Sequence, residues 1–129
     1  MRQHRLGVIS RLQQKCDKEF SKMIRAKEVC EKCGQRGLDY DTAHIISRKN
    51  LTLRWDIFNV LCLCRPCHMR AHANPNEFTN WFKAKYAVRY DYVQSMKNRI
   101  LKRTSDDYAK LLDDIGSRRF EGLILQVLD

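Results

Sequence analysis

The sequence lacks any apolar run long enough to span a membrane, which predicts a protein with no membrane partner. Its opening stretch, MRQHRLGVIS, lacks the long apolar core of a secretion signal. Internal repeats and low-complexity linkers are absent, and the 129 residues include only two prolines and five glycines. We therefore expect one compact domain with a helical extension, located in the cytoplasm.

Acidic residues are scarce: 15 Asp and Glu stand against 25 Lys and Arg, for a formal net charge of +10. The excess is concentrated in residues 1–37, which carry ten basic and four acidic side chains. A chain this basic most simply binds a polyanion, because each neutralised phosphate releases condensed counterions. The composition therefore favours a nucleic-acid partner. The alternative is a soluble protein whose isoelectric point, about 9.6, has no functional meaning.

Residues 8–28 have the periodicity of an amphipathic helix. Leu12, Cys16, Phe20 and Met23 recur at spacings of four, four and three, which places them on one apolar face. The nearly opposite face is a basic stripe, which could be an ordinary solvated surface or a phosphate-binding surface. We favour DNA binding by the five residues of this stripe, namely Arg11, Lys15, Lys18, Lys22 and Arg25.

The centre of the chain has the pattern of two strands followed by a helix. GLDYDTAHII has the β-branched and aromatic bias of a strand, and VLCLC has that of a brief buried strand. The intervening SRKNLTLRWDIFN is predicted to be a loop with a short extended piece. RPCHMRAH, with proline near its start, is predicted to be a short helix.

The C-terminal part is predicted to be helical. Asn74 is a candidate N-cap for the first helix, whose aromatic residues are predicted to face the core. Further helices are predicted through YDYVQSMKNRILKR and through SDDYAKLLDDI, the latter with its leading serine as the cap. The tail RRFEGLILQVLD is apolar enough to dock on the core or to mediate self-association.

Two CxxC pairs predict a zinc site. In a reducing cytosol, such spacing favours metal over disulfides, and four thiolates on two tight turns can close tetrahedrally around Zn²⁺. A redox CxxC is the rival interpretation, but the βαβ context of such motifs is missing. A four-cysteine site has no open position for substrate, so we predict a structural zinc bound by Cys30, Cys33, Cys64 and Cys67. The remaining Cys16 and Cys62 are predicted to be buried small hydrophobes.

Two histidines follow the second CxxC pair. His68 and His72 are one helical turn apart and therefore share a face. An isolated pair of this kind is most often a surface feature without a ligand. Here, however, the zinc would clamp the helix to the turn that leads the strand containing His44, which would bring all three imidazoles close together.

The ordered residues AHI, Asn59 and LCRPCH resemble HNH endonucleases of the ββα-metal, or His-Me finger, class. The zinc-bearing subgroup has one CxxC before the first strand and another at the head of the helix. Over about residues 19–83 the chain is also similar to phage-type proteins of the recombination-associated NinG/Rap group. The resemblance implies a small ββα-metal core held together by zinc, residues 29–73, and a host-cell cytoplasmic location if a phage encodes the protein. The C-terminal third lies outside the resemblance. Together with the helices predicted from periodicity, namely an N-terminal basic helix 1–28 and a C-terminal extension 74–129, the expected fold is α+β and helix-rich.

The resemblance also implies catalytic roles. It makes His44 the general base that activates water, and Asn59 the residue that orients the loop or the histidine. His68 matches the ligand of a catalytic divalent metal, and His72 could be a second ligand. Mg²⁺ or Mn²⁺ suits phosphate chemistry, although two imidazoles would also bind Zn²⁺, Ni²⁺ or Co²⁺.

One position departs from the pattern. Many relatives have Asp or His directly before the base, as a metal ligand, whereas this chain has Ala43. Asp41 and Asp56 are candidates to replace that ligand. Arg48 and Arg54 could bind phosphates; alternatively, they are ordinary surface charges or form an ion pair with Asp56.

These features predict a metal-dependent DNA endonuclease. No base-reading element is visible, so we expect low sequence specificity. The resemblance implies branched recombination intermediates, such as Holliday junctions, and favours a homodimer that presents two sites to two strands. One alternative is a non-catalytic zinc-dependent DNA-binding module of a phage recombination or packaging complex. Another is a structural protein that self-associates through its tail.

Overall fold

The protein is helix-rich and of the α+β class, as predicted. A computed structural model describes residues 2–117, with the backbone alone for residues 2–6. The elements, in chain order, are α1 Arg2–Arg25, β1 Tyr40–His44, a 3-10 helix Ile57–Asn59, β2 Val60–Cys64, α2 Arg65–Ala73, α3 Pro75–Lys85, α4 Ala87–Met96 and α5 Ser105–Gly116. The tail 118–129 lies outside the described residues, so its role in self-association stays a prediction. No helix in residues 2–117 is long and apolar enough to cross a membrane.

The two strands form an antiparallel ladder in which Tyr40 pairs with Cys64 and His44 with Val60. Every residue of β2 is buried because both faces of the sheet are covered. The faces alternate: Val60 and Cys62 pack in the cluster with residues of α1 and α5, and Leu61 and Leu63 pack with residues of α3. The predicted strands are confirmed, and the sheet lies between two helical layers.

The predicted apolar face of α1 is confirmed, with Cys16, Phe20 and Ile24 fully or almost fully buried. Leu12 and Met23 pack at its margin. The helix ends at Arg25, three residues before the predicted end, so that the chain can turn into the first CxxC pair. Cys16 and Cys62 are buried outside the cysteine cluster, as predicted.

The C-terminal predictions need two corrections. Asn74 occupies the N-cap position of α3, as predicted, although its side chain makes no capping hydrogen bond. The cap of α5 is Thr104 and not the serine that follows, because Thr104 forms a reciprocal capping box with Asp107. The predicted helix through YDYVQSMKNRILKR ends at Met96.

Tertiary hydrogen bonds explain why helix α4 stops. Thr52 Oγ1 donates to the Arg99 carbonyl at 2.7 Å and accepts from the Leu101 N–H at 3.1 Å. Asn50 Nδ2 donates to the Lys97 carbonyl at 2.8 Å. The side chains of Asn50 and Thr52 thus provide hydrogen-bond partners for backbone groups of the segment 97–104. Because these groups are already satisfied, the segment does not form the helical hydrogen bonds that its sequence predicts.

Arg89 of α4 is 3% exposed and joins this helix to the 3-10 helix and to the start of β2. Its Nη2 donates to the carbonyls of Ile57, Phe58 and Val60, at 3.3, 3.3 and 2.9 Å. The guanidinium also lies 4.9 Å from the centroid of the Tyr86 ring. It therefore stabilises the turn that leads into β2.

We expect Arg89→Met to lower the free energy of unfolding by about 3 kcal/mol, because three carbonyls would lose their buried donor. Urea titration followed by circular dichroism measures this change. Arg99→Met, at an exposed arginine, is the matched control and should change the free energy by no more than about 0.5 kcal/mol. Equal unfolding midpoints for the two variants would contradict the assignment.

Candidate metal centre and histidine cavity

Four cysteines converge at the junction of the sheet and α2. Their Sγ atoms all lie within 4.8 Å of one another, and the set is Cys30, Cys33, Cys64 and Cys67. The Cys33 and Cys64 sulfurs are 3.8 Å apart, which is about the spacing that a tetrahedral site with Zn–S bonds of about 2.3 Å requires. Gly34, at a φ of +77°, makes the turn after the first pair. These four cysteines could hold a metal ion such as zinc, as predicted.

The electrostatics of the cluster suit a cation. Burial raises the pKa of the Cys30 thiol, but N–H donors of Cys33, Cys64 and Lys32 outweigh it and lower that pKa to about 6. Burial and the neighbouring sulfurs raise the pKa of the Cys67 thiol. Thiolates are the form that binds metal, and a cation among them would offset their mutual repulsion.

The first member of the histidine pair on α2, His68, is oriented by a carboxylate. His72 Nε2 and His68 Nε2 are hydrogen-bonded at 3.1 Å, with His72 as the donor if His68 Nε2 holds the lone pair; the same distance is close to the spacing of two adjacent nitrogen ligands on one ion with bonds of about 2.1 Å. Asp41 Oδ2 accepts from His68 Nδ1 at 3.0 Å, which leaves Nε2 as the lone-pair nitrogen in the neutral ring. Burial raises the pKa of Asp41, but the bonds from His68 and Arg65 hold it below its usual range. The carboxylate therefore remains charged.

His44, at the end of β1, is held by a backbone carbonyl. Its Nε2 lies 2.9 Å from the Arg54 oxygen, and a carbonyl can only accept. Nε2 therefore carries the proton, and Nδ1 has the lone pair in the neutral ring. Burial lowers the pKa of His44 below its ordinary value of 6.5. The imidazole is consequently neutral at pH 7, with one basic nitrogen.

The three histidines line one cavity of about 840 Å³, formed by α1, β1, the loop after β1 and α2. Four of the predicted DNA-binding residues share its lining, namely Lys18, Arg25, Arg48 and Arg54. Asp17, Gln14 and Ser47 also line it. The cavity therefore combines imidazoles with a surplus of positive charge.

The other predicted site residues lie outside this lining. Asn59 is fully buried; its Oδ1 accepts from the Ile46 N–H at 2.8 Å, and its Nδ2 donates to the Ile46 and Leu53 carbonyls at 3.0 and 3.1 Å. Of the two roles that the resemblance implies, these bonds fit the one that orients the loop. The remaining members of the basic stripe are exposed on α1, namely Arg11, Lys15 and Lys22.

The alternative in which the loop arginines form an ion pair with Asp56 is wrong. Arg48 and Arg54 both bind Asp17 of α1, a residue that the sequence reasoning missed. Asp56 instead accepts from the Tyr92 hydroxyl at 2.6 Å and caps the 3-10 helix. The only signal for Asp17 was that it is one of just two acids, with Glu19, in an otherwise basic helix.

The candidate replacements for the ligand missing at Ala43 are engaged elsewhere. Asp41 binds the Nδ1 side of His68, and Asp56 binds Tyr92. Within residues 2–117, the only cluster of three or more candidate ligands is the cysteine cluster. The histidine pair therefore offers two nitrogen ligands from the protein.

Comparisons with protein-family models, with curated proteins and with solved structures give no match. The HNH resemblance therefore remains a prediction that rests on the motif residues of this chain.

Proposed function

We propose that the protein is a metal-dependent HNH endonuclease that hydrolyses DNA phosphodiester bonds with low sequence specificity. The observation that carries the proposal is the shared cavity, in which the neutral imidazole of His44 accompanies a histidine pair whose first member is oriented by Asp41. These are the parts that phosphodiester hydrolysis needs, namely a base, a site for a Lewis acid and cations for the phosphates.

His44 is the general base in this proposal. Its Nδ1 takes a proton from water, and the hydroxide attacks phosphorus as the bond to the 3′ oxygen breaks. His68 and His72 would hold a divalent cation, because their Nε2 atoms have the spacing of adjacent ligands. Phosphate chemistry favours Mg²⁺ or Mn²⁺ as this cation, whereas the two imidazole donors favour Zn²⁺, Ni²⁺ or Co²⁺. A bound cation would supply Lewis-acid stabilisation of the charge that develops on the phosphate and the departing 3′ oxygen.

The basic residues account for binding without base reading. Lys18 and Arg25 connect the cavity to the exposed stripe of α1, so that a DNA backbone could run from the histidines along this helix. Such contacts are independent of sequence and sensitive to salt. The cysteine cluster, with four ligands and no open position, would hold a structural zinc that keeps β1 and α2 together.

Incubation with supercoiled plasmid and Mg²⁺, Mn²⁺ or Ni²⁺ tests the proposal, and nicking with at least one of these metals is expected. A second panel compares four-way junctions, flaps, single strands and linear duplexes, because the resemblance favours branched DNA. Faster cleavage of junctions would support a recombination role. Cutting at one defined sequence would contradict low specificity.

We expect Asp41→Ala to raise the metal concentration for half-maximal cleavage by roughly tenfold to hundredfold, because His68 would lose the partner that directs its Nε2. Calorimetric titration with Ni²⁺ measures the same loss without depending on activity. Asp39→Ala, at an exposed position two residues earlier, is the matched control. The same affinity in both variants would mean that Asp41 does not support a metal site.

The alternative is a zinc-dependent module that binds DNA without cutting it. Ala43, at the position where many relatives have a ligand, favours this alternative, because only two imidazoles then remain for a second metal. Salt-sensitive binding with no cleavage under any metal would support the alternative over the nuclease.

A further inference from the structure

We infer that Asp17 of α1 is a positioning residue for the proposed base: through Arg54 it sets the backbone carbonyl that determines which nitrogen of His44 carries the proton. The expected effect of Asp17 on the rate of cleavage rests on the proposed nuclease function. Its expected effect on the position of the His44 proton does not, because that is a property of the protein without substrate. The N-terminal helix would then contribute to the site itself as well as to DNA binding.

Asp17 is the centre of a hydrogen-bond cluster. Its Oδ1 accepts from Arg54 Nε at 3.0 Å and from Trp55 Nε1 at 2.9 Å. Its Oδ2 accepts from Arg54 Nη2 and, at 3.0 Å, from Arg48 Nη2. The pair with Arg54 is thus bidentate, the arrangement that fixes a guanidinium in both position and orientation.

Hydrogen bonds hold the residues on both sides of the Arg54 carbonyl. Asn59 Nδ2 binds the Leu53 carbonyl, Asp17 binds the Arg54 guanidinium, and Asp17 also binds the Trp55 indole. Three consecutive residues are therefore tethered. Between these tethers, the Arg54 carbonyl accepts from His44 Nε2 at 2.9 Å. The direction of the Arg54 carbonyl is therefore set by the hydrogen bonds of Asp17 on one side and by the hydrogen bond of Asn59 on the other.

Arg54 and Arg48 differ in exposure and in how they bind Asp17, which indicates different roles. The Arg54 side chain is only 16% exposed, and its Nε and Nη2 both bind Asp17. The Arg48 side chain is 62% exposed and binds Asp17 through one nitrogen. We therefore assign Arg54 to positioning and Arg48 to phosphate contact. This assignment changes the role of Arg54, which the sequence predicted to bind DNA.

The decisive measurement is the tautomer of His44, read from long-range ¹H–¹⁵N correlation spectra of the zinc-loaded protein. In the wild type, the spectrum should show a proton on Nε2 and an unprotonated Nδ1. In Asp17→Ala, both nitrogen shifts should move toward the tautomer average, because the carbonyl acceptor is no longer held. Glu19→Ala, on the same helix, is the matched control and should keep the wild-type pattern.

Kinetics separate positioning from binding. Asp17→Ala should lower kcat by roughly tenfold to hundredfold with KM within about twofold, as expected for a misplaced base. Arg48→Gln should instead raise KM and leave kcat near the wild-type value. Unfolding curves show whether each variant is folded, and Asp17→Asn, which keeps the side-chain volume, replaces the alanine variant if that unfolds.

The outcomes are distinct. A wild-type His44 tautomer in a folded Asp17 variant would overturn the inference, whatever the activity. A wild-type kcat in that variant would also overturn it. If the wild-type protein cleaves no DNA, the nuclease proposal fails, while the tautomer spectra still decide whether Asp17 positions His44.

Discussion

Replacing His44 by alanine is expected to lower the rate of DNA cleavage by about three orders of magnitude and to leave DNA affinity within about twofold. His44 is the cavity imidazole whose Nδ1 keeps a lone pair while its other nitrogen is bound, and removal of a general base typically costs two to four orders of magnitude. Single-turnover nicking measures the rate, and fluorescence anisotropy at fixed salt measures the affinity.

The control for this variant is Gln14→Ala, since Gln14 lines the same cavity without an ionisable group. It should retain nearly full activity. A His44→Ala protein that nicks plasmid as fast as Gln14→Ala would remove His44 from the mechanism and leave the DNA-binding alternative.

The pH dependence of the wild type follows from the same residue. Burial lowers the pKa of His44 below its ordinary value of 6.5, so the basic form predominates at and above that pH. Protonation removes the lone pair, and the rate should therefore fall, with unit slope, as the pH drops below the lowered pKa. The stability that depends on neutral His44 should be lost in the same direction, because the folded state binds this proton less readily than the unfolded state.

Replacing Cys33 by serine is expected to abolish stoichiometric zinc binding and to unfold the centre of the protein. Structural zinc contributes about 10–16 kcal/mol in small zinc domains, which is as large as the whole stability of a typical domain. Cys33 is exposed, so the substitution acts through the cluster and not through lost core packing. Metal analysis by mass spectrometry and circular dichroism measure the two effects.

Cys16→Ala is the control for the cysteine prediction, because it removes a buried sulfur outside the cluster. It should retain one zinc ion per chain and lose only part of its stability. Chelator treatment of the wild type should reproduce the Cys33→Ser spectrum. A Cys33→Ser protein that binds one zinc ion and unfolds at the wild-type temperature would show that the cluster is not the structural metal site.

Local patterns were sufficient for much of the fold. The spacing of Cys16 and Phe20 identified the buried face of α1, and VLCLC identified β2, because helical and strand periodicities follow directly from backbone geometry. The CxxC spacing likewise identified the four clustered cysteines, since each pair constrains its own turn.

Local patterns predicted the wrong secondary structure where side chains distant in sequence form hydrogen bonds with the backbone. The helical bias of the chain after Met96 was outweighed by Asn50 and Thr52, whose side chains bind the carbonyls of Lys97 and Arg99. These partners are some 47 residues away in sequence, so no window of the chain contains the competing interaction.

The same distinction between local patterns and long-range contacts applies to the candidate site. By itself the sequence determined which side chains are available, namely the cysteine ligands, the three histidines and the basic stripe, because residue type and local spacing are written in the chain. Only the tertiary structure decided their partners: Asp41 on His68, the Arg54 carbonyl on His44, and Asp17 on both loop arginines. Protonation and orientation depend on such long-range contacts, since a neighbouring charge or acceptor acts through space and not along the chain.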